Sequence, residues 1–199
     1  MLIQIRGTSG SGKSFIVNRI VSKHSFKPIH ENGEIMGYIC KDLNLFIVGK
    51  YTTACGGCDS VATQDEICRR IRIGLKRGYN VLFEGLICSH IAERYARLYK
   101  DCTKRGIPVT YIFLDTPLEK CRQNINKRRA KAGKPPVTAK NTEKDYTSTH
   151  RSRENMLKMG VADSDMPVLS AKQTYQYIVN HTKKNYEDIF PFPDDVLPF

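Results

Sequence analysis

The sequence predicts an α/β fold, in which helices cover both faces of a mostly parallel central sheet to give a three-layer sandwich. Short apolar runs alternate along the chain with longer amphipathic stretches, which is the order of parallel strands joined by helices. The 199 residues suit one domain, and 40% of them are hydrophobic, which is enough for one core. A glycine-rich motif, Gly7–Ser14, lies between the first apolar run and the first helical run and favours the same fold class.

The first half of the chain predicts three strands and two helices. An apolar run at 1–6 predicts the first strand, and the helix-like run after the glycine-rich motif predicts a helix over 13–23. Two short apolar runs, 35–40 and 43–48, predict a small hairpin inserted into the sheet. Apolar residues that recur every four positions predict a helix over 61–77 with one buried stripe, formed by Ile67, Ile71 and Leu75.

The second half of the chain continues this alternation. Its predicted strands are 80–83, 109–114 and 166–169, and its predicted helices are one around Ile91, Tyr95 and Leu98, then 118–130, 145–159 and 171–180. One glycine and two prolines predict an exposed loop over 132–144. Residues 1–186 are thus expected to form one domain with a basic lid at about 122–145, followed by an acidic tail rich in proline and phenylalanine at 187–199.

The glycine-rich motif predicts a nucleotide-binding site. Gly7-Thr8-Ser9-Gly10-Ser11-Gly12-Lys13-Ser14 matches the pattern G-x-x-x-x-G-K-[ST] in full, which is typical of the phosphate-binding loop (P-loop) of nucleotide hydrolases and kinases. In such a loop the backbone N–H groups surround the β-phosphate, the lysine reaches the β- and γ-phosphates, and the serine hydroxyl ligates Mg²⁺. The predicted ATP contacts are Gly7, Ser9, Gly10, Ser11, Gly12, Lys13 and Ser14, with Ser14 also a magnesium ligand and Lys13 also catalytic.

Two carboxylates are candidates for the rest of a phosphoryl-transfer site. Glu84 ends the strand at 80–83, and ligands bind at the carboxyl ends of the strands in open α/β sheets. We expect Glu84 to hold Mg²⁺ or to accept a proton from a substrate hydroxyl. Asp59 precedes the helix at 61–77, where a general base for the attacking hydroxyl and a simple helix cap are both reasonable interpretations.

Basic residues near the predicted lid are candidates for neutralising charge on ATP. The helix at 118–130 carries Arg122, Lys127, Arg128 and Arg129 just before the loop that contains the glycine and prolines. Arginines at this position could close over ATP and stabilise the transferring phosphoryl group, so we expect catalytic and ATP-binding roles for Arg122 and Arg128. Residues 118–158 contain twelve lysines and arginines against four acids, which is more than ATP requires.

The charge of the whole chain indicates a polyanionic partner. The net charge is +12, although 187–199 contain four acids and no bases. A kinase of small nucleotides needs no such excess, whereas a nucleic-acid substrate would explain it. A generally basic, solvated surface remains the alternative. Since the sequence contains no membrane-length apolar run and does not begin like a signal peptide, we expect a cytoplasmic protein without a membrane partner.

Seven scattered cysteines predict free thiols rather than a disulfide framework. Cys55 and Cys58 are the one close pair, separated by two glycines. We interpret them as parts of a glycine-rich loop, with half of a zinc site or a redox pair as alternatives.

Two stretches resemble one family within the small P-loop kinases. Tyr51–Asp59 with Gln64–Glu66, and Val81–His90, are similar to phage-encoded kinases that phosphorylate 5-hydroxymethyluracil within DNA during thymidine hypermodification. The resemblance implies ATP and Mg²⁺, DNA containing a hydroxymethylated pyrimidine as substrate, a 5-phosphomethyl product, and the host cytoplasm as the location. Three alternatives use the same loop: a kinase of free nucleosides or nucleotides, a kinase of polynucleotide 5′-OH ends, and a non-catalytic ATP switch.

Overall fold

The computed structural model describes residues 1–52 and 56–183. In these residues one sheet is formed by seven strands: β1 (Leu2–Arg6), β2 (Lys27–Glu31), β3 (Glu34–Cys40), β4 (Leu45–Val48), β5 (Asn80–Glu84), β6 (Val109–Leu114) and β7 (Val168–Leu169). The helices are α1 (Lys13–Lys23), α2 (Gln64–Lys76), α3 (Leu86–His90), α4 (Glu93–Lys104), α5 (Leu118–Lys131), α6 (Ala139–Lys158) and α7 (Ala171–Thr182). Cys55 and the predicted tail at 187–199 lie outside the described residues.

The sheet is mostly parallel, as predicted. Its strands follow the order β2-β3-β4-β5-β1-β6-β7. β1 pairs in parallel with β5 and β6, and the parallel section extends through β4 on one side and β7 on the other. β2, β3 and β4 are antiparallel neighbours, so the predicted hairpin is confirmed and carries one more strand. β1 and β5 therefore end side by side, with Ile5 in register with Glu84.

Helices cover both faces of the sheet because successive strand residues point to opposite sides. Leu2 of β1 belongs to one buried cluster with residues of α2 and α4, among them Ile67, Ile71 and Leu98. Ile3 and Ile5 belong to the other, with Ile16 and Ile20 of α1 and Ile178 of α7. Within the described part of the chain, no helix combines the length and the apolar character needed to cross a membrane.

Several predicted boundaries were wrong, each for a local reason. β2 was not predicted because it is an edge strand of mostly exposed residues interrupted by Pro28. α2 begins at Gln64 rather than at 61, since the Thr63 hydroxyl accepts the N–H of Glu66 and caps the helix. α6 begins at Ala139, so the predicted loop over 132–144 is only about half as long. Residues 139–144 are almost entirely polar, and no apolar stripe marked them as helical.

Candidate active site

The glycine-rich loop between β1 and α1 has a backbone that requires its glycines. Gly10 and Gly12 have φ angles of +77° and +104°, in the left-handed region that other residues rarely adopt. A Cβ atom on Gly10 would also lie 2.3 Å from the backbone oxygen of Cys121 in α5. The loop is joined to that side by two further contacts, in which Asn124 donates to the Gly10 carbonyl at 2.9 Å and Thr116 donates to the Ser11 carbonyl at 2.8 Å. α5 thus packs directly on the loop.

Lys13 lies within the loop, and the loop has polar groups enough to hold an anion. The lysine Nζ donates to the carbonyls of Gly7 and Thr8, at 2.6 and 3.0 Å. Burial lowers the pKa of this ammonium, although Glu84 nearby opposes the effect. The hydroxyls of Thr8 and Ser11 are enclosed and have no hydrogen-bond partner among the described residues. α1 begins without a side-chain cap, so its first N–H groups also remain available to a phosphate.

Glu84 meets Ser14 at the adjoining ends of β5 and α1. The Ser14 hydroxyl donates to Glu84 Oε1 at 2.9 Å, and the Glu84 side chain is almost completely buried. Burial raises the pKa of this carboxyl to about 7, against the opposing effects of Lys13 and the Ser14 hydroxyl. The Tyr51 hydroxyl is enclosed close by but makes no hydrogen bond of regular geometry. A serine hydroxyl and a carboxylate are the type of oxygen ligands that suit Mg²⁺.

Asp59 lies next to this group, in the 3₁₀ turn Cys58–Ser60, but its carboxylate is engaged. Its two oxygens accept the N–H groups of Leu86 and Ile87, at 2.8 and 3.3 Å, at the start of α3. Asp59 therefore caps a helix, though not the one that follows it in sequence. It still lies close enough to Lys13 and Glu84 to influence the pKa values of both. The predicted residues Lys13, Ser14, Glu84 and Asp59 are thus brought together.

The two predicted lid arginines are only partly connected to this group. Arg122 follows Cys121, the α5 residue that packs on Gly10, and forms an ion pair with Glu119 at 2.7 Å. Arg128 lies one and a half turns further along α5 and forms no ion pair within the described residues. Since both lie on the helix that packs on the loop, a contact with ATP remains a prediction for each.

Arg6, Ser89 and His90 were not predicted as site residues. Arg6, the last residue of β1, is fully buried and donates to the carbonyls of Ser89 and Ile91 and to the Ser152 hydroxyl of α6, at 2.9, 3.0 and 2.6 Å. Burial lowers the pKa of its guanidinium to about 10. The one available signal was a charged residue in an otherwise apolar strand, directly before the glycine-rich motif.

The cysteines offer no support for a metal site. Cys55 lies outside the described residues, and the neighbour of Cys58 is Cys88 of α3 rather than a second metal-binding pair. Within the described residues no group of three or more histidine, cysteine or acidic side chains could hold a metal ion. Six cysteines, all buried, are free thiols there.

Comparisons with known proteins all indicate one family. A family model described as 5-hmdU DNA kinase matches residues 1–180. A 5-hmdU DNA kinase of Pseudomonas phage PaMx11 is 36% identical in an alignment of 184 residues that covers 86% of this chain and 95% of that protein. One of Delftia phage PhiW-14 is 28% identical over 172 residues, 80% of this chain and 65% of that protein.

A third relative, 5-hmdU DNA kinase 1 of Salmonella phage ViI, is 30% identical over 139 residues, 66% of this chain and 60% of that protein. The chain thus spans nearly all of the PaMx11 protein and less than two-thirds of the other two. The resemblance carried by Tyr51–Asp59 and Val81–His90 is confirmed over most of the sequence. By the family model and by these relatives, the chain belongs to the 5-hmdU DNA kinase family.

Proposed function

We propose that this chain transfers the γ-phosphate of ATP to the 5-hydroxymethyl group of hydroxymethyluracil in DNA, giving a 5-phosphomethyl base. One observation carries the proposal. In a member of the 5-hmdU DNA kinase family, Lys13 and Ser14 of the glycine-rich loop lie against a buried carboxylate, Glu84, at the carboxyl end of the neighbouring strand. The hydroxymethyl oxygen forms a bond to the γ-phosphorus, the bond to the bridging oxygen breaks, and ADP leaves.

The loop is proposed to bind the phosphates of ATP. The enclosed hydroxyls of Thr8 and Ser11 and the uncapped start of α1 supply donors, and Lys13 supplies a cation. Ser14 and Glu84 would hold Mg²⁺, which neutralises phosphate charge in reactions of this class. Arg122 and Arg128 remain the candidates for contacts from the lid. Lys13 donates to two loop carbonyls, so a bound phosphate would take the place of those carbonyls as the acceptor.

The hydroxyl proton of the acceptor needs a base, for which Asp59 and Glu84 are the candidates. Asp59 is exposed and carries a carboxylate next to the site, although two backbone N–H groups occupy its oxygens. Glu84 is buried and bonded to Ser14, which suits a position beside the metal better than contact with the acceptor. We therefore retain Asp59 as the proposed base, with each oxygen still able to accept a second hydrogen bond.

The DNA is proposed to lie along α5 and α6. The hydroxymethyl group of the base faces the major groove, and a base flipped out of the double helix could reach the region of Glu84, against which Gly57 lies. Exposed lysines follow one another from the second half of α5 into the connection to α6, at Lys127, Lys131 and Lys134. Because α5 packs on the glycine-rich loop, phosphates bound there would lie beside the ATP site.

An acceptor assay tests the proposed reaction. ATP labelled at the γ-phosphate is incubated with hydroxymethyluracil DNA, with thymine DNA that has free 5′-OH ends, and with free hydroxymethyldeoxyuridine. We expect label in the first sample alone, and none with the Lys13→Ala variant, whose DNA binding should persist. Label confined to the free nucleoside or to 5′ ends would replace the proposal with one of those kinases, and ATP binding without any transfer would favour a switch.

The salt dependence of DNA binding tests the proposed surface. Changing Lys127, Lys131 and Lys134 to Gln should reduce the slope of log K against log salt by about 2 to 3, because each lost phosphate contact removes about 0.9. The matched control changes Lys76, Lys100 and Lys104, which are also exposed but lie in the second halves of α2 and α4, the helices that lead to the amino ends of β5 and β6. Equal effects from both triple variants would contradict a surface on α5.

A further inference from the structure

The short helix α3 connects Asp59 to the glycine-rich loop. Its first N–H groups are accepted by the Asp59 carboxylate, as described above. The Ser89 hydroxyl accepts the N–H of Gly7 at 3.2 Å and donates to the carbonyl of Gly85 at 2.7 Å. Gln4 of β1 donates to the Cys88 carbonyl at 3.3 Å. α3 is therefore hydrogen-bonded both to Asp59, the proposed base, and to the glycine-rich loop, the proposed phosphate site.

The end of α3 is also held by Arg6 of β1. Its guanidinium donates to the carbonyls on either side of His90, those of Ser89 and Ile91. The same guanidinium donates to the hydroxyl of Ser152, so α3 and α6 are joined through it. Two hydrogen bonds from Arg6 thus hold the backbone on both sides of His90 without using its side chain.

The imidazole of His90, at the end of α3, takes no part in the hydrogen bonds described so far. Its Nε2 is enclosed, yet it has no hydrogen-bond partner in residues 1–52 or 56–183. Burial lowers the pKa of this imidazole, Asp145 of α6 opposes the effect, and Lys13 adds to it. His90 belongs to α3, which packs on α6 and is bonded through Ser89 to Gly7 of the glycine-rich loop. An enclosed polar nitrogen without a partner costs free energy, which is a common property of groups that bind a ligand.

We propose that His90 is a further catalytic residue of the transfer site, with Nε2–H donating a hydrogen bond to the phosphoryl group that is transferred. The proposal rests on the proposed function and adds a residue to it. Phosphate oxygens only accept hydrogen bonds, so Nε2 must carry a proton to serve them. Ser89, the residue before His90, accepts the N–H of Gly7, and the Gly7 carbonyl accepts from Lys13. Because the lysine of such loops reaches the γ-phosphate, this connection places His90 on the side of the group being transferred.

Three substitutions separate the roles of the two ring nitrogens. His90→Gln places an amide N–H near the position of Nε2, whereas His90→Asn places one near Nδ1 and His90→Ala supplies neither. We expect kcat to fall about 100-fold for His90→Asn and His90→Ala, the usual loss of one such donor, with KM for DNA nearly unchanged. His90→Gln should retain kcat within about tenfold of the wild type. The exposed His30 in β2, changed to Asn, serves as the matched control with unchanged kcat.

A binding measurement makes the inference independent of the acceptor. ADP with aluminium fluoride imitates the phosphoryl group during transfer, whereas ADP alone lacks it. His90→Asn should weaken binding of ADP–aluminium fluoride about 100-fold and leave ADP binding unchanged, which a loss of structure alone would not do. If His90→Asn keeps wild-type affinity for the fluoride complex, or if His90→Gln loses as much as His90→Asn, the inference is wrong. If instead the wild type binds ADP–aluminium fluoride as expected but labels no DNA, the proposed function is wrong, whereas the hydrogen bond from His90 to the phosphoryl group still stands.

Discussion

Removing the charge of Glu84 should stabilise the protein while it stops the reaction. The perturbation is Glu84→Gln, which keeps the size of the side chain and an oxygen that can accept from Ser14. Burial raises the pKa of the Glu84 carboxyl from 4.5 to about 7, so the native protein resists the ionisation that the unfolded chain undergoes freely. The resulting cost begins as pH rises through 4.5, grows until about pH 7 and is fully present above it.

The size of the effect follows from the two pKa values. With 1.36 kcal/mol per unit, ionised Glu84 destabilises the native state by about 3 kcal/mol at pH 8 and by about 1 kcal/mol at pH 5. Glutamine avoids this cost at both pH values. For a chain of 199 residues, in which 1 kcal/mol shifts Tm by about 2–4 °C, the variant should melt about 6–12 °C above the wild type at pH 8. At pH 5 the gap should shrink to about 2–4 °C.

The assay is thermal unfolding of both proteins at pH 5 and pH 8, without nucleotide, followed by circular dichroism. Because other titrating groups are shared, the difference between the two proteins isolates Glu84. Glu143→Gln, at an exposed position on α6, is the control and should show no gap at either pH. Transfer of phosphate should be lost in Glu84→Gln at pH 8. A melting gap that is the same at both pH values would refute the reasoning, because it would mean that the native state does not oppose ionisation of Glu84.

Three further substitutions test the surrounding contacts. Asp59→Asn should lower kcat by about 100-fold or more if Asp59 is the base. It should also cost about 1 kcal/mol of stability, because the cap on α3 is weakened. Normal turnover with a lower Tm would leave capping as the role of Asp59. Gly10→Ala should destabilise the protein by at least about 2 kcal/mol in urea unfolding, because the added Cβ would meet the Cys121 carbonyl. Gly133 also has a positive φ but faces open space, so Gly133→Ala is the control and should cost about 1 kcal/mol. Arg6→Met should cost about 2–4 kcal/mol in the same measurement by leaving buried acceptors without a donor, and a stability equal to the wild type would contradict this.

The parts of the site that the sequence predicted are those encoded locally. The glycine-rich motif specifies its own backbone within eight residues, and Glu84 was identified because a short apolar strand ends there. The mostly parallel sheet and the hairpin followed from the alternation of apolar runs, and both are confirmed. The contacts that the sequence did not predict are encoded at a distance. The carboxylate of Asp59 binds N–H groups 27 and 28 residues further along the chain, on a five-residue helix too short to show periodicity.

The role of Arg6 also depends on residues that are distant in the sequence. A charged residue in an apolar strand attracts attention, but its purpose depends on three acceptors that lie more than 80 residues away along the chain. Only the packing of α3 and α6 against the end of β1 brings those acceptors together. Sequence reasoning could have marked Arg6 as unusual but could not have connected it to His90 or to α6.

Arg6, Lys13 and Glu84 are buried charged side chains near the loop, and they differ in which groups offset the free-energy cost of burying their charges. Burial shifts the pKa of Arg6, Lys13 and Glu84 toward the neutral form in each case, so each opposes folding to some extent. Arg6 already has fixed acceptors within the protein, since carbonyls and a hydroxyl accept from its terminal guanidinium nitrogen. Lys13 and Glu84 instead lie beside the places proposed for phosphate and Mg²⁺, whose charges would favour the ionised forms. ATP with Mg²⁺ should therefore raise Tm, and should do so more for the wild type than for Glu84→Gln, because only the wild type recovers the cost of its carboxylate when the metal binds. A ligand-induced shift of equal size in both proteins would place Mg²⁺ away from Glu84 and would remove the reason for a buried acid at the end of β5.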